Sequence, residues 1–350
     1  MSTHWEPDIL GAGFEARTLP LLDDDEGAVV ATLVRHRPAD DPEALPGTPS
    51  APSFTMLYFH GWNDYFHQRE LAREVAANGG AFYALDLRKY GRSLRDHQFP
   101  GYVTRLSTYD EDIHAALDVI REECGMGMDL VMMGHSTGGL TATLWAHRHP
   151  GALRALILNA PWLEMQGSVV LRSVGAPVVD TLARRLPTSP LPVSDPGNYY
   201  RTLHGWTEED GERPAGTEGD PFYDGWNTDP RWRTWPSMPI RPGWLSAILA
   251  GHAQVAAGLA ITCPILVMTS TRTIISAKWT PELRTVDTVL DVGQIAHRAT
   301  RLGQLVTIAT FEGAIHDVLL SPAPVRARAY AEMRRWMGAY VRRAWASVPA

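Results

Sequence analysis

From residue 54 onward, short apolar runs alternate with segments whose apolar residues recur every three to four positions. The runs are FTMLYFHG (54–61), AFYALDLR (81–88), DLVMMGH (129–135) and LRALILNAP (153–161). Between them lie HQRELAREVAANGG (67–80), YDEDIHAALDVIREEC (109–124) and LTATLWAHRH (140–149), which carry the helical period. Strand and helix alternating at this spacing predict right-handed βαβ units on a mostly parallel sheet flanked by helices. Upstream, FEARTLPL (14–21) and AVVATLVRHR (28–37), joined by the acidic turn DDDEG, predict a hairpin, and a Pro- and Asp-rich loop follows over 38–53.

The rhythm breaks near Trp162 and returns with CPILVMTS (263–270), LVTIATFEG (305–313) and an amphipathic helix VRARAYAEMRRWMGAYVRRAW (325–345). The intervening segment is dense in proline, glycine and tryptophan, as in RRLPTSPLPVSDPGNYY (184–200), and six of the twelve tryptophans fall between Trp162 and Trp244. That is far more aromatic surface than a linker carries. It predicts a core of residues 1–161 and 259–350, with 162–258 inserted as a loop-rich aromatic cap over one edge of the sheet. Such a surface suits a pocket lining, a homodimer face or a membrane-touching patch.

Composition narrows the function classes. With 350 residues, 45% of them hydrophobic, the chain can bury a large core. Its 32 basic and 39 acidic side chains give a net charge of −7 without a basic block, which disfavours nucleic-acid phosphates and favours a small-molecule substrate. No signal-peptide pattern opens the chain and no run of 18 apolar residues occurs, so the expectation is a soluble, cytoplasmic protein. Two cysteines, Cys124 and Cys263, are too few for a disulfide framework or a cysteine metal site and read as buried thiols. The histidines show no metal-ligand spacing such as H-E-x-x-H, and neither a metal nor an organic cofactor is expected.

The candidate chemistry centres on GHSTGG (134–139), at the seam between a predicted strand and a predicted helix. A serine on so sharp a turn projects its hydroxyl above the sheet, and small flanking residues let the strand and helix pack closely. The bland alternative, a helix-capping turn, explains the glycines but not the context. Ser136 is therefore the candidate nucleophile. A serine hydroxyl needs a base, and the base needs an orienting acid, in the chain order Ser, acid, His on this architecture. His316 in FEGAIHDVLL, after the last predicted strand, is the candidate base, and His135 is read as a packing residue.

The acid is less direct. The end of the seventh strand, TSTRTIISAKW, holds no carboxylate, and the first ones downstream are Glu282, Asp287 and Asp291. Asp287, which opens DTVLD, is the choice; Glu282 and Asp291 are fallbacks, and Glu164 in APWLEM is another route to the same role. An oxyanion needs backbone N–H donors, expected from Thr137 and from Trp62 in YFHGWND, where Gly61 lets the chain turn.

Together these segments resemble the α/β-hydrolase fold, in the branch of monoacylglycerol lipases, lysophospholipases and serine-aminopeptidase-like hydrolases. FHGWND is similar to that branch's oxyanion loop, GHSTGG to its elbow and FEGAIHD to its histidine loop. Asp86, Arg88, Gly91 and Ser93 resemble its Asp-x-Arg-Gly-x-Gly-x-Ser turn, with Lys89 in place of a glycine. Asp287 to Asp291 resemble its acid segment, although Leu290 stands at the fourth position and the residues TRTIISAKWTPELRTV separate it from the strand. The resemblance covers 54–162 and 259–343 and omits the cap. It implies a serine ester hydrolase acting through an acyl-enzyme, and the apolar cap implies a hydrophobic acyl, aryl or lactone ester. Two other readings stand beside it. One is an aminopeptidase-like amide hydrolase whose substrate ammonium is held by a carboxylate of EEDGE (208–212), and the other is a lapsed hydrolase fold that only binds.

Overall fold

The computed structural model describes residues 4–166, 169–193 and 195–341, with the side chains of 169–176 excepted. The chain opens on strands β1 (Glu6–Pro7), β2 (Phe14–Pro20) and β3 (Val30–His36), the last two paired antiparallel from Phe14 opposite His36 to Pro20 opposite Val30. This is the predicted hairpin, with Asp24 and Gly27 bridging its acidic turn. Next come β4 (Phe54–Phe59), helix α1 (Arg69–Ala77), β5 (Gly80–Asp86), α2 (Tyr109–Cys124), β6 (Asp129–His135), α3 (Thr137–Arg148) and β7 (Ala155–Asn159). Each falls within a few residues of its predicted segment.

The strands form one sheet in the order β1-β2-β3-β5-β4-β6-β7, continued by β8 (Ile265–Ser270) and β9 (Val306–Phe311). Pairing is parallel from β5 through β9 and antiparallel from β1 to β5. This mostly parallel sheet with helices on both faces is the α/β-hydrolase architecture.

Side-chain alternation along β4 sorts the core into two layers. Phe54, Met56 and Tyr58 join the apolar cluster that includes Leu71 and Val75 of α1. Leu57 and Phe59 join the opposite cluster with Ile113 and Leu117 of α2 and Leu140 and Leu144 of α3. The last helix, α9 (Ala323–Tyr340), covers the first layer with Tyr330, Met333 and Trp336. The rest of the predicted C-terminal helix lies outside the described residues. Cys263 is buried, whereas Cys124, expected to be buried, is only half so because α2 ends there at the surface.

Between β7 and β8 the stretches 186–193, 195–197 and 225–241 lack long regular elements, as their proline and glycine content demands. Two long helices that the composition does not announce bracket them: α4 (Val169–Arg185) and, after the short α5 (Asn198–Leu203) and α6 (Pro221–Asp224), α7 (Pro242–Ala257). Helix α7 begins at a proline, carries glycine inside and is apolar on most sides, so it offers no amphipathic stripe. It is apolar because it is buried: Trp244, Ala247, Ile248 and Val255 join the core layer that contains Leu140 and Leu144. Between β8 and β9 lies α8 (Val292–Ala299). Among the described residues no helix is long and apolar enough to cross a membrane, and no cluster of three or more His, Cys, Asp or Glu side chains is arranged to hold a metal.

Candidate active site

The parallel register sets neighbouring strand ends side by side. Phe59 at the end of β4 pairs with Gly134 of β6, so the turn His60–Gly61–Trp62 and the turn His135–Ser136–Thr137 leave the sheet next to each other. Ser136 has φ 52° and ψ −116°, a conformation L-residues rarely adopt, at the junction of β6 and α3. Its backbone holds the turn: Ser136 N–H donates to Asn159 O (3.1 Å), and Ser136 O accepts from Leu140 N and from Trp162 N (3.0 Å). The glycines are there for space. A Cβ on Gly138 would fall on the carbonyl oxygens of His60 and Phe59, and one on Gly134 would meet Gly138 O at 2.5 Å.

On the other turn, the His60 tautomer follows from its partners. Nε2 accepts from Leu87 N (3.2 Å), so Nδ1 carries the proton and donates to Gly61 O (2.7 Å). In a trans peptide the carbonyl of Gly61 and the N–H of Trp62 point opposite ways, so holding the one aims the other. Among the described residues neither the Trp62 nor the Thr137 N–H hydrogen-bonds within the protein. A small cavity of about 10 Å³, room for one water, touches Gly61, Thr137 and the Trp244 ring. A much larger cleft of 930 Å³, between α1 and residues 219–231, is lined by none of the predicted site residues.

Asp287 and His316 come together. His316 Nδ1 donates to Asp287 Oδ2 at 2.9 Å, both side chains being buried. Asp287 Oδ1 accepts from Val289 N and Leu290 N, each at 2.8 Å, which fixes the carboxylate plane. The chain excursion between β8 and Asp287 is closed at its neck. Asp287 N–H donates to Arg272 O, Ile274 N–H donates to Asp287 O, and Thr273 bridges Asp287 as a parallel pair. The acid therefore stands beside the end of β8 despite its distance in sequence. No hydrogen bond joins Ser136 Oγ to His316 among the described residues, a contact that in ligand-free sites is commonly long.

The other carboxylates have structural partners. Glu282 is exposed and pairs with Arg272 at 3.1 Å; Asp291 caps α8 through Gly293 N and Gln294 N; Glu164 pairs with Arg298 at 2.5 Å. Within EEDGE, Glu208, Glu209 and Glu212 are exposed, while Asp210 is buried against Arg284 at 2.8 Å. That pair, with the rings of Trp206, Trp279 and Phe222 around the guanidinium, ties the excursion before Asp287 to residues 206–222.

Several residues around the site escape sequence reasoning. Asp317 is buried and is held by Asn159 Nδ2 (2.6 Å), Gln68 Nε2 (2.5 Å) and Leu319 N, with His135 Nε2 at 3.9 Å, which pins the histidine loop to β7 and to the start of α1. His135 lies with its ring centre 4.8 Å from that of His316 and shares its Nδ1 proton with Asn159 O; burial pushes its pKa down, so it stays neutral. Tyr199 of α5 sets its ring edge-on to His316 at 5.1 Å. Tyr199 carries no sequence signal, whereas Asp317 adjoins His316 and His135 stands in the elbow, where it is expected to pack. Lys89 sits at φ 64°, where the related turn has glycine, and its buried ammonium is held by Asp24 (2.6 Å) and Glu26 (2.5 Å) of the hairpin turn, a compensation visible in the acidic DDDEG.

Comparison with known proteins places the chain in a family. A sequence model of the family described as Serine aminopeptidase, S33 matches residues 50–323. Lysophospholipase L2 of Escherichia coli is 34% identical over 99 residues, 28% of this chain and 29% of that protein. A monoacylglycerol lipase of Mycolicibacterium smegmatis is 28% identical over 149 residues, 40% of this chain and 49% of its own. The matches thus span less than half the length of these curated relatives. A soluble variant of monoglyceride lipase from Saccharomyces cerevisiae, solved with a substrate analogue, superposes with a TM-score of 0.58 over 97% of this chain and 95% of its own, at 15% identity. At that identity the likeness is one of fold.

Proposed function

The chain belongs to the Serine aminopeptidase, S33 family of α/β-hydrolases, and from that premise we propose that it is a serine hydrolase cleaving a hydrophobic carboxylic ester, acyl, aryl or lactone, through an acyl-enzyme on Ser136. The observation that carries the reading is the buried His316–Asp287 hydrogen bond at the same end of the sheet as a serine held at positive φ. Ser136 Oγ attacks the ester carbonyl while His316 Nε2 takes its proton. Asp287 keeps the other ring proton on Nδ1 and stabilises the imidazolium. The N–H groups of Trp62 and Thr137 receive the oxyanion. The alkoxide leaves with the proton from His316, and water repeats the sequence to free the acid and restore Ser136.

The hydrophobic substrate class is supported by the aromatic wall beside the serine. The Trp62 and Trp244 rings lie 3.9 Å apart, and Trp162, whose amide binds Ser136 O, lies 6.1 Å from Trp244. We assign residues 162–258 the role of a cap that supplies Trp162 and Trp244 to this wall, and the names of the relatives, a lysophospholipase and a monoacylglycerol lipase, point the same way. For the aminopeptidase-like alternative, Asp210 of EEDGE is engaged by Arg284 and Glu209 by Arg201, which leaves the exposed Glu208 and Glu212 as ammonium partners.

Hydrolysis of p-nitrophenyl esters from acetate to palmitate, with an aminoacyl p-nitroanilide in parallel, tests the proposal. Ester turnover abolished by Ser136→Ala is the expected result. Turnover of the anilide alone would move the assignment to amide cleavage, and ester turnover that survives Ser136→Ala would remove Ser136 as nucleophile.

A further inference from the structure

The four residues that follow Gly61 each bind the cap. The Trp62 ring packs on Trp244. The Asn63 side chain donates to Thr234 O (2.8 Å) and accepts from Thr234 Oγ1 (3.0 Å), with the Thr234 and Met238 amides at 3.4 Å. Asp64 pairs with Arg233 at 2.6 Å, both ends buried. Tyr65 accepts a hydrogen bond from Asp229 N (2.6 Å) and meets the Trp232 ring edge-on. The core holds the rings of this segment as well, Trp62 edge-on to Tyr90 and Tyr65 under Arg92, but among the described residues the side-chain hydrogen bonds of Asn63 all go to Thr234 and Met238; Asn63 stands at φ 53°, a conformation it keeps because its side chain is tied on both atoms.

Arg233 is the centre of the arrangement. It carries a full charge into a buried place, where among the described residues only Asp64 pairs with it, and removing one partner of such a pair leaves the other stranded. The guanidinium also touches His67 Nε2 (3.4 Å) and lies 5.2 Å from the Tyr199 ring, the ring that packs on His316. One cap side chain thus reaches both the loop that presents the Trp62 amide and the ring that borders the histidine.

Resting on the ester-hydrolase reading, we infer that residues 229–244 build the oxyanion site: Arg233 and Asn63 are positioning residues that hold the Trp62 amide toward Ser136, and the site is complete only while the cap is docked. The cap then contributes to the chemical step and not only to substrate fit. Displacing residues 229–244 alone leaves Ser136 and its Trp162 contact in place but deprives the tetrahedral intermediate of one donor.

The test compares wild type with Asn63→Gly, which keeps the positive φ accessible while deleting the side-chain hydrogen bonds, with Arg233→Met, and with Arg233→Lys. Loss of one oxyanion donor typically lowers kcat by about 10²- to 10³-fold, and loosening it should lower kcat by about 10-fold or more. On p-nitrophenyl butyrate, Asn63→Gly and Arg233→Met should show that fall with KM within about 3-fold of wild type. Phenylboronic acid, which mimics the tetrahedral adduct, should weaken in parallel, and Arg233→Lys should recover part of the loss. Hydrogen–deuterium exchange should quicken in peptides covering 59–66 and 229–238 and nowhere else. Wild-type kcat in both variants, or a change in KM alone, would overturn the inference, as would exchange unchanged at 59–66 or quickened throughout the chain. If the wild type turns over no ester, the ester reading fails by itself, and the exchange at 59–66 still decides whether the cap holds the loop.

Discussion

Replacing Asp287 by Asn removes one charge and changes almost nothing in shape, so its effect can be worked out atom by atom. In the wild type, Oδ1 faces two donors, the amides of Val289 and Leu290 at 2.8 Å, and Oδ2 faces the His316 Nδ1 proton at 2.9 Å. An asparagine must turn its own oxygen toward the two amides, because its NH₂ there would set donor against two donors. The NH₂ then points at His316 Nδ1 and can bond only if that nitrogen gives up its proton. The imidazole is driven to the tautomer protonated on Nε2, which cannot accept the proton of Ser136. Wrong-tautomer substitutions of this kind lower kcat about 10⁴-fold, equivalent to about 5 kcal/mol of barrier. Stability should change much less, since both backbone amides keep their acceptor. Steady-state hydrolysis of p-nitrophenyl butyrate, with a thermal melt of each variant, reads both quantities. A variant that melts like wild type and retains kcat/KM within 10-fold would refute the reasoning and place the acid elsewhere.

Glu164→Gln should leave kcat/KM within about 2-fold of wild type, because one half-buried ion pair of this kind contributes at most about 1 kcal/mol to stability; a collapse in rate would reopen Glu164 as the acid. Asp291→Ala removes the cap of α8 and should cost about 1 kcal/mol in urea denaturation with kcat unchanged. Gly138→Ala puts a methyl group onto the His60 carbonyl and should cost about 3 kcal/mol or more along with activity, whereas a variant melting within 1 kcal/mol of wild type would contradict the close approach of β4 and α3. Burial lowers the pKa of His67 and His252 to about 4 each, below the unfolded value, so the unfolded chain takes up these protons first as pH falls. Stability should therefore be intact above about pH 6.5 and decline toward pH 4, by about 3 kcal/mol per histidine. Asp112, whose pKa burial raises to about 6, gains stability over the same window and offsets one of them. His252→Gln, which keeps a donor for Trp162 O, should flatten the acid decline of the melting temperature, and an unchanged slope would count against this account.

Much of this protein is written locally in its sequence. The buried strands announce themselves as apolar runs, α1 and α2 as periodic segments, and the elbow as glycines spaced around Ser136 at a strand–helix seam, because each depends on residues only a few positions apart. The handedness of βαβ connections fixes the hand of each crossover, but that β6 crosses to the far side of β4 from β5, which brings Gly61 beside Ser136, is decided by the packed sheet. What sequence could not decide is whatever depends on two distant segments meeting. The excursion over 273–286 obscures that Asp287 returns to the end of β8, since its closure rests on backbone hydrogen bonds to Arg272 and Ile274, which no side-chain pattern records. Helix α7 hides because burial on most sides erases the amphipathic period, and Arg233 reads as one more charge in an irregular stretch until folding sets it against Asp64. Local propensity and pattern determined the strands, the amphipathic helices and the candidate serine and histidine. Long-range packing, which alone makes a buried charge affordable, decided how the cap meets them.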